Sequence, residues 1–475
     1  MTTHPPDETT HPLDEDTRLL LWRRVRAYAV PPAMIETATL RRAAGDWAGA
    51  CAAAGFDVDI DLRALARTRG RHLPHEVRAD LRRLAPDLLR WHLPRIAPDG
   101  LLRPGLTMPL ARYGAGADSA WLVARTPPAW ADAGQRVALA LWDGGLGEPA
   151  ARGHPHPRPS RRFRFDLHRH LWDADRADEL RTRSRGAPTD HADPPADHAD
   201  APADHADPPA ARCGTGPAPG WCATDRWADE ARIVLGAEGR DGGTVAVHLR
   251  GRQRLALHLA ADGTAITRAV RDIGALPLLP DAATWTLPDL ELLDAGLIGA
   301  GQLHPLVADA LVPGHEPAAR IPHPEPAGRP RLVECRGARH RIGLVDGVLS
   351  ALDHAPDELR REELLVALGG PPLPCLRNID EAHRSPECLT GVRERLDHGD
   401  VAGALAVVEA LLGPQAVLRD GPLKDELEAA ARRRIAYGLY RAGLAGPGTG
   451  PVRTRERSRS RSRDPRQGPR PSGRR

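Results

Sequence analysis

Cys335, Cys375, His383 and Cys388 are soft or imidazole metal ligands gathered in the last third of a 475-residue chain. Zinc needs three or four such groups converging on a tetrahedron. Cys375, His383 and Cys388, joined by Cys335 or His340, supply the right types. Their spacing argues the other way, because seven and then four residues intervene and no short Cys-x-x-Cys knuckle occurs. Buried structural thiols, with no metal and no cofactor, are the expectation. Cys335, His340 and Asp346 also name a nucleophile, a base and an orienting acid. Strand alternation across that stretch undermines the trio. No Gly-x-Ser-x-Gly elbow is present. No phosphate-cradling glycine loop ends in lysine, since the sole lysine, Lys424, follows Pro422-Leu423. No catalytic residue can be named, and the chain reads as non-enzymatic. An unrecognised metal- or cysteine-dependent hydrolase is the reading kept in reserve.

Two other stretches carry recognisable chemistry. Residues 190–210 repeat Asp-His-Ala-Asp-(Pro/Ala)-Pro-Ala three times. Imidazole and carboxylate at fixed spacing suggest a metal-binding tract. A flexible tract must lose chain entropy to bind, so repeat expansion in a tolerant loop is the better account. From 453 to 475, ten arginines stand against two acids, with Arg455, Arg457, Arg459, Arg461 and Arg463 in an Arg-Ser run. These would pair with phosphates without regard to sequence. Nucleic acid held by this tail is therefore an alternative partner. Between 17 and 95 there are 15 arginines against 8 acids. The helix after Gly45-Asp46 nonetheless offers Trp47, Cys51 and alanines rather than base-reading side chains.

The elements that position these residues begin with a repeated signature. Arg42-Ala-Ala-Gly-Asp-Trp-Ala-Gly-Ala50 and Asp397-His-Gly-Asp-Val-Ala-Gly-Ala-Leu405 each read as a helix end, a Gly-Asp turn and an Ala-rich helix start. That is a helical hairpin, the unit of partner-binding arrays, although no 34-residue period links the two. Asp46, Trp47, Arg395 and Asp400 are accordingly the candidate partner-binding residues.

The fold class expected is α+β: N-terminal helical hairpins, a central antiparallel β meander interrupted by a disordered linker, and a C-terminal β-hairpin with a helical bundle. Residues 1–15 read as disordered and 16–100 as a helical domain, with Gly55 stopping the second hairpin helix. Residues 101–180 form the first part of a β domain, with strands at Thr107–Tyr113, Ala120–Arg125 and Arg136–Trp142. A low-complexity linker covers 181–226. The second part, 227–311, carries strand patterns at 233–235, 244–250, 254–259 and 264–270, followed by one helix, near 288–296 or 301–311. A Pro-rich linker, 312–330, leads to an α+β unit at 331–445. There Asp346-Gly347 reads as a tight hairpin turn, and helices at about 357–368, 376–384, 387–397, 400–412 and 422–443 follow. Residues 446–475 form a disordered tail.

Composition bounds the rest. Gly and Pro number 46 and 47, which points to long connectors, and 475 residues imply two or three folded units. Net charge is only +3, so bulk electrostatics give no nucleic-acid binder. No secretory signal and no window of about 18 apolar residues is present. Six scattered cysteines fit reduced thiols. A cytoplasmic protein without a membrane partner is expected.

Leu21-Trp-Arg-Arg-Val-Arg-Ala-Tyr-Ala-Val-Pro-Pro-Ala-Met-Ile-Glu36, continuing to Arg95, and Arg339-His-Arg-Ile-Gly-Leu-Val-Asp-Gly-Val-Leu349, continuing to Leu444, carry a resemblance. They resemble an uncharacterised actinobacterial family of the Streptomyces type. The resemblance covers somewhat under half the chain and transfers no catalytic residue. It implies an adaptor accessory to MoxR-type AAA+ ATPases and von Willebrand A-domain proteins.

Overall fold

The computed structural model describes residues 15–116, 119–131, 133–144, 154–184, 221–249, 253–260, 265–270, 274–315 and 331–446. The Asp-His heptads, the Arg-Ser run with Arg455, Arg457, Arg459, Arg461 and Arg463, and most of both expected linkers lie outside these residues. The class is α+β. Among the described residues no helix is long and apolar enough to cross a membrane.

Helix α1 (Glu15–Arg24) runs on through a π-helical turn, Val25–Ala29. Pro31 and Pro32 then open α2 (Pro32–Ala43), because a proline suits a first turn whose N–H has no acceptor. A Gly-Asp turn leads into α3 (Trp47–Ala53). Gly55, at φ +76°, ends this hairpin and starts β1 (Phe56–Asp59). Helices α4 (Leu62–Arg69), α5 (His72–Arg83) and α6 (Pro86–His92) follow. The expected strands are present as β2 (Thr107–Tyr113), β3 (Ala120–Arg125) and β4 (Val137–Trp142). They form an antiparallel meander, and β1 joins its far edge in parallel, with Phe56 opposite Val137 and Asp59 opposite Ala140. Four residues are too few to show a period, so β1 left no mark in the sequence pattern.

The expected strand at Ile233–Leu235 is instead part of α7 (Trp227–Ala237). Trp227, Ala231, Val234 and Leu235 are buried at helical spacing, and Asp229 and Glu230 favour the positive end of the helix dipole. The β-branched pair Ile233-Val234 was too short a signal to outweigh that stripe. Strands β5 (Gly243–His248), β6 (Arg254–Leu259) and β7 (Ala265–Ala269) make a second antiparallel sheet. The two β segments therefore form separate sheets over separate cores. Helices α8 (Pro288–Asp294) and α9 (Pro305–Leu311) return to the first core, where Leu290, Val307 and Leu311 pack with Leu81, Leu88, Leu122 and Trp172.

The C-terminal unit is a three-stranded sheet of β8 (Arg331–Cys335), β9 (Ala338–Val345) and β10 (Val348–Ala351). Both hairpin turns place two successive residues at positive φ: Arg336 (53°) with Gly337 (78°), and Asp346 (50°) with Gly347 (76°). That is the twist-matched turn that Asp-Gly favours. Helices α10 (Pro356–Ala367), α11 (Pro374–Arg384), α12 (Leu389–Asp397), α13 (Val401–Leu412) and α14 (Pro422–Arg441) complete it. This unit closes on the N-terminal half. The Tyr437 hydroxyl on α14 donates to Asp57 Oδ2 on β1 at 2.8 Å, Arg136 grips the same carboxylate twice at 2.8 Å, and Arg441 pairs with Asp59.

Candidate functional site

The two Gly-Asp turns are built alike, bond for bond. In the first, Gly45 N–H donates to Arg42 C=O and Asp46 N–H to Arg41 C=O, both at 2.9 Å. In the second, Gly399 N–H donates to Leu396 C=O at 3.2 Å and Asp400 N–H to Arg395 C=O at 2.8 Å. This bonding closes a helix end on a left-handed glycine. The aspartate then caps the next helix. Asp46 Oδ1 accepts from Gly49 N–H at 2.8 Å, and Asp400 Oδ1 from Gly403 N–H at 2.9 Å. The arginine five residues back reaches the other carboxylate oxygen, Arg41 to Asp46 and Arg395 to Asp400, at 2.8 Å in both. A Cβ on Gly49 or Gly403 would collide with the capping carboxylate. The pattern Arg-x3-Gly-Asp-x2-Gly thus has a mechanical reason at every fixed position. The Gly49 N–H and Arg41 hold the exposed Asp46 carboxyl below its usual range.

Their surroundings differ. The first turn faces solvent: the Arg41 and Asp46 side chains keep 52% and 45% of their exposure, and Leu40 keeps 64%. Trp47 is half-buried and packs toward the first core. The second turn is inserted into the N-terminal half, so Arg395 and Asp400 fall to 29% and 12%. His398 stacks on Tyr28 with centroids 6.2 Å apart, and Arg395 lies 5.8 Å over the same ring. Arg24 bonds Glu394 at 2.7 Å. Beneath them Arg90, only 2% exposed, donates to three carbonyls: Ala29 at 2.9 Å, Gln135 at 2.8 Å and His398 at 3.0 Å. No carboxylate among the described residues hydrogen-bonds it, and burial lowers its pKa to about 10. Burial, with Arg95, Arg90 and Arg24 nearby, also pulls His398 down to about 3. The His398 imidazole is therefore neutral against three guanidinium groups. Arg395 and Asp400, expected to face an external partner, instead serve a contact within the chain.

The cysteines and histidines are regrouped relative to the sequence expectation. Cys335 ends β8, His340 lies on β9, His354 follows β10, and Cys375 sits in the first turn of α11. Their ligand atoms all lie within 4.8 Å of one another. His340 Nδ1 is 2.6 Å from His354 Nε2, and Cys335 Sγ is 3.7 Å from the same nitrogen. Both thiols are fully buried and His354 nearly so. Burial and the adjacent Cys335 thiol push Cys375 up to about 11. His354 Nδ1 faces Glu358 Oε2 at 3.2 Å, and Arg336 holds Glu358 at 2.9 Å. The imidazole in turn keeps the Glu358 carboxyl below its usual range.

Cys335 and Cys375 therefore meet, whereas His383 and Cys388 do not join them. His383 is buried on the last turn of α11, beside the backbone of Val417, and burial lowers its pKa. Cys388 stands before α12 against the helical core, and burial raises its thiol. His354 was absent from the sequence expectation. Nothing in its spacing marks it, apart from a glutamate four residues on. Among the described residues, Cys51, Cys335, Cys375 and Cys388 form no disulfide.

No family model matches this chain, and neither a curated protein nor a solved structure does.

Proposed function

We propose that the chain is a non-enzymatic cytoplasmic scaffold that binds a protein partner through the exposed turn between α2 and α3. One observation carries this reading: an identically bonded turn is already a docking element inside the molecule, received by Tyr28, Arg24 and Arg90. The first copy presents the same geometry to solvent, with Leu40 and Ala44 outward and Asp46 held by Arg41. A rigid helix end with an apolar shoulder and a fixed charge loses little entropy on binding. The partner class comes from the family resemblance: a MoxR-type AAA+ ATPase or a von Willebrand A-domain protein.

The test is affinity capture of the full-length chain from its native host, beside a Leu40→Glu/Ala44→Arg variant whose far-ultraviolet spectrum matches. The ATPase or the A-domain protein is expected in near-stoichiometric amount with the unaltered chain and depleted with the variant. Equal recovery by both, or recovery of neither protein, removes the reading.

A further inference from the structure

We propose that Cys335, His340, His354 and Cys375 bind one Zn²⁺ ion in a closed structural site. The chemistry of the donors comes first. Two thiolates and two imidazoles form a soft, nitrogen-and-sulfur set that suits zinc and disfavours calcium or magnesium. With Zn–S near 2.3 Å and Zn–N near 2.0–2.1 Å, the edges of a ligand tetrahedron are about 3.3–3.8 Å. The Cys335–His354 edge of 3.7 Å falls in that range. The limit of 4.8 Å across all four atoms makes them converge on one point, which leaves no room for a two-iron cluster. His340 and His354 need move apart by less than an ångström from their 2.6 Å contact to reach about 3.3 Å.

Charge and surroundings agree with the donors. Binding releases one proton from each thiol, so Zn²⁺, two thiolates and two neutral imidazoles sum to zero. A neutral complex suits a pocket in which both sulfurs are fully buried. The second nitrogen of His354 meets Glu358, itself anchored by Arg336. A carboxylate on the outer nitrogen fixes the ring and raises its basicity, as is usual behind zinc. The four ligands come from β8, β9, the turn after β10 and α11. One ion would thus tie the whole small sheet to the helix beneath it. That sheet has a thin core of Val333, Ile342, Ala351, Leu373 and Ile379 around the two cysteines, a size at which a metal staple adds most. Four protein ligands leave no open coordination position, so the site holds structure and activates no water.

The proposal is independent of the partner reading. Full-length protein purified without chelator is expected to contain about one zinc per chain by elemental analysis. His354→Ala and Cys375→Ser should each lower this at least several-fold. Because such variants can unfold, the unaltered protein is also exchanged into Co²⁺. Tetrahedral sulfur–nitrogen ligation then gives intense visible d–d bands and thiolate-to-cobalt charge transfer. Glu358→Gln should keep the spectrum but weaken zinc about tenfold or more in competition with a chromogenic chelator. Substoichiometric zinc together with no tetrahedral cobalt spectrum overturns the proposal and leaves a metal-free cluster of hydrogen-bonded thiols and imidazoles.

Discussion

Arg90 should be worth more to this molecule than any of its surface ion pairs. Its guanidinium joins three carbonyls that are 61, 45 and 308 residues away in sequence. Arg90→Ala leaves those acceptors with no donor in a site that water enters poorly. Each hydrogen bond from a charged donor is worth about 1.5–3 kcal/mol. The sum is reduced because the native state keeps a cation buried with no hydrogen-bonded carboxylate among the described residues, which costs several kcal/mol. The expected net loss is about 3–5 kcal/mol. Arg24→Ala, which breaks a half-exposed pair with Glu394, should cost about 0–1 kcal/mol. Arg90→Lys should recover less than half of the loss, because an ammonium cannot fork to three acceptors. Urea unfolding followed by tryptophan fluorescence ranks the three variants. The reasoning is refuted if Arg90→Ala and Arg24→Ala shift the midpoint equally.

Two further expectations test other parts of the fold. Gly49→Ala and Gly403→Ala drive a methyl into the capping aspartates and should destabilise by about 1–3 kcal/mol. Gly438→Ala, on an open helical face, should stabilise by about 0.5–1 kcal/mol; thermal melts showing the same sign at all three positions would discard the steric argument. Glu230 is buried, which alone would raise its pKa, but bonds from His168 and Arg183 depress it from 4.5 to about 2. A carboxylate depressed on folding stabilises the native state above its unfolded value and loses that support as pH falls. Stability should therefore decline between pH 4.5 and 2 by roughly 3 kcal/mol. Glu230→Gln should flatten that slope, and an unchanged slope would assign the acid sensitivity to other groups.

Local features were legible in the sequence wherever a local rule governs them. Gly45-Asp46 and Gly399-Asp400 announce their turns because glycine takes the left-handed position without a Cβ penalty and aspartate caps the helix that comes after. Asp346-Gly347 is read the same way, and β2, β3 and β4 by their alternation. The features that escaped depend on distant parts of the chain. Strand β1 exists because β4 is beside it. The stretch Ile233–Leu235 is helical because Trp227 and Ala231 complete its buried stripe. His354 displaced His383 from the thiol cluster because the fold of β9 and β10 carries it back to Cys335, a proximity no residue spacing encodes. The sequence also could not tell which Gly-Asp turn would stay exposed, since that depends on where Tyr28 and Arg90 lie in space.

The clasp of α14 on β1 has a consequence for synthesis. Asp57 leaves the ribosome hundreds of residues before Tyr437 and Arg441, its partners in the finished molecule. Until then β1 is an acidic sheet edge with Arg136 alone against it, and negative charge discourages other strands from adding there. A nascent chain halted before α14 would leave Asp57 and Asp59 without Tyr437 and Arg441, so quality-control proteases would find the N-terminal half of an unfinished molecule easier to open than that of a complete one.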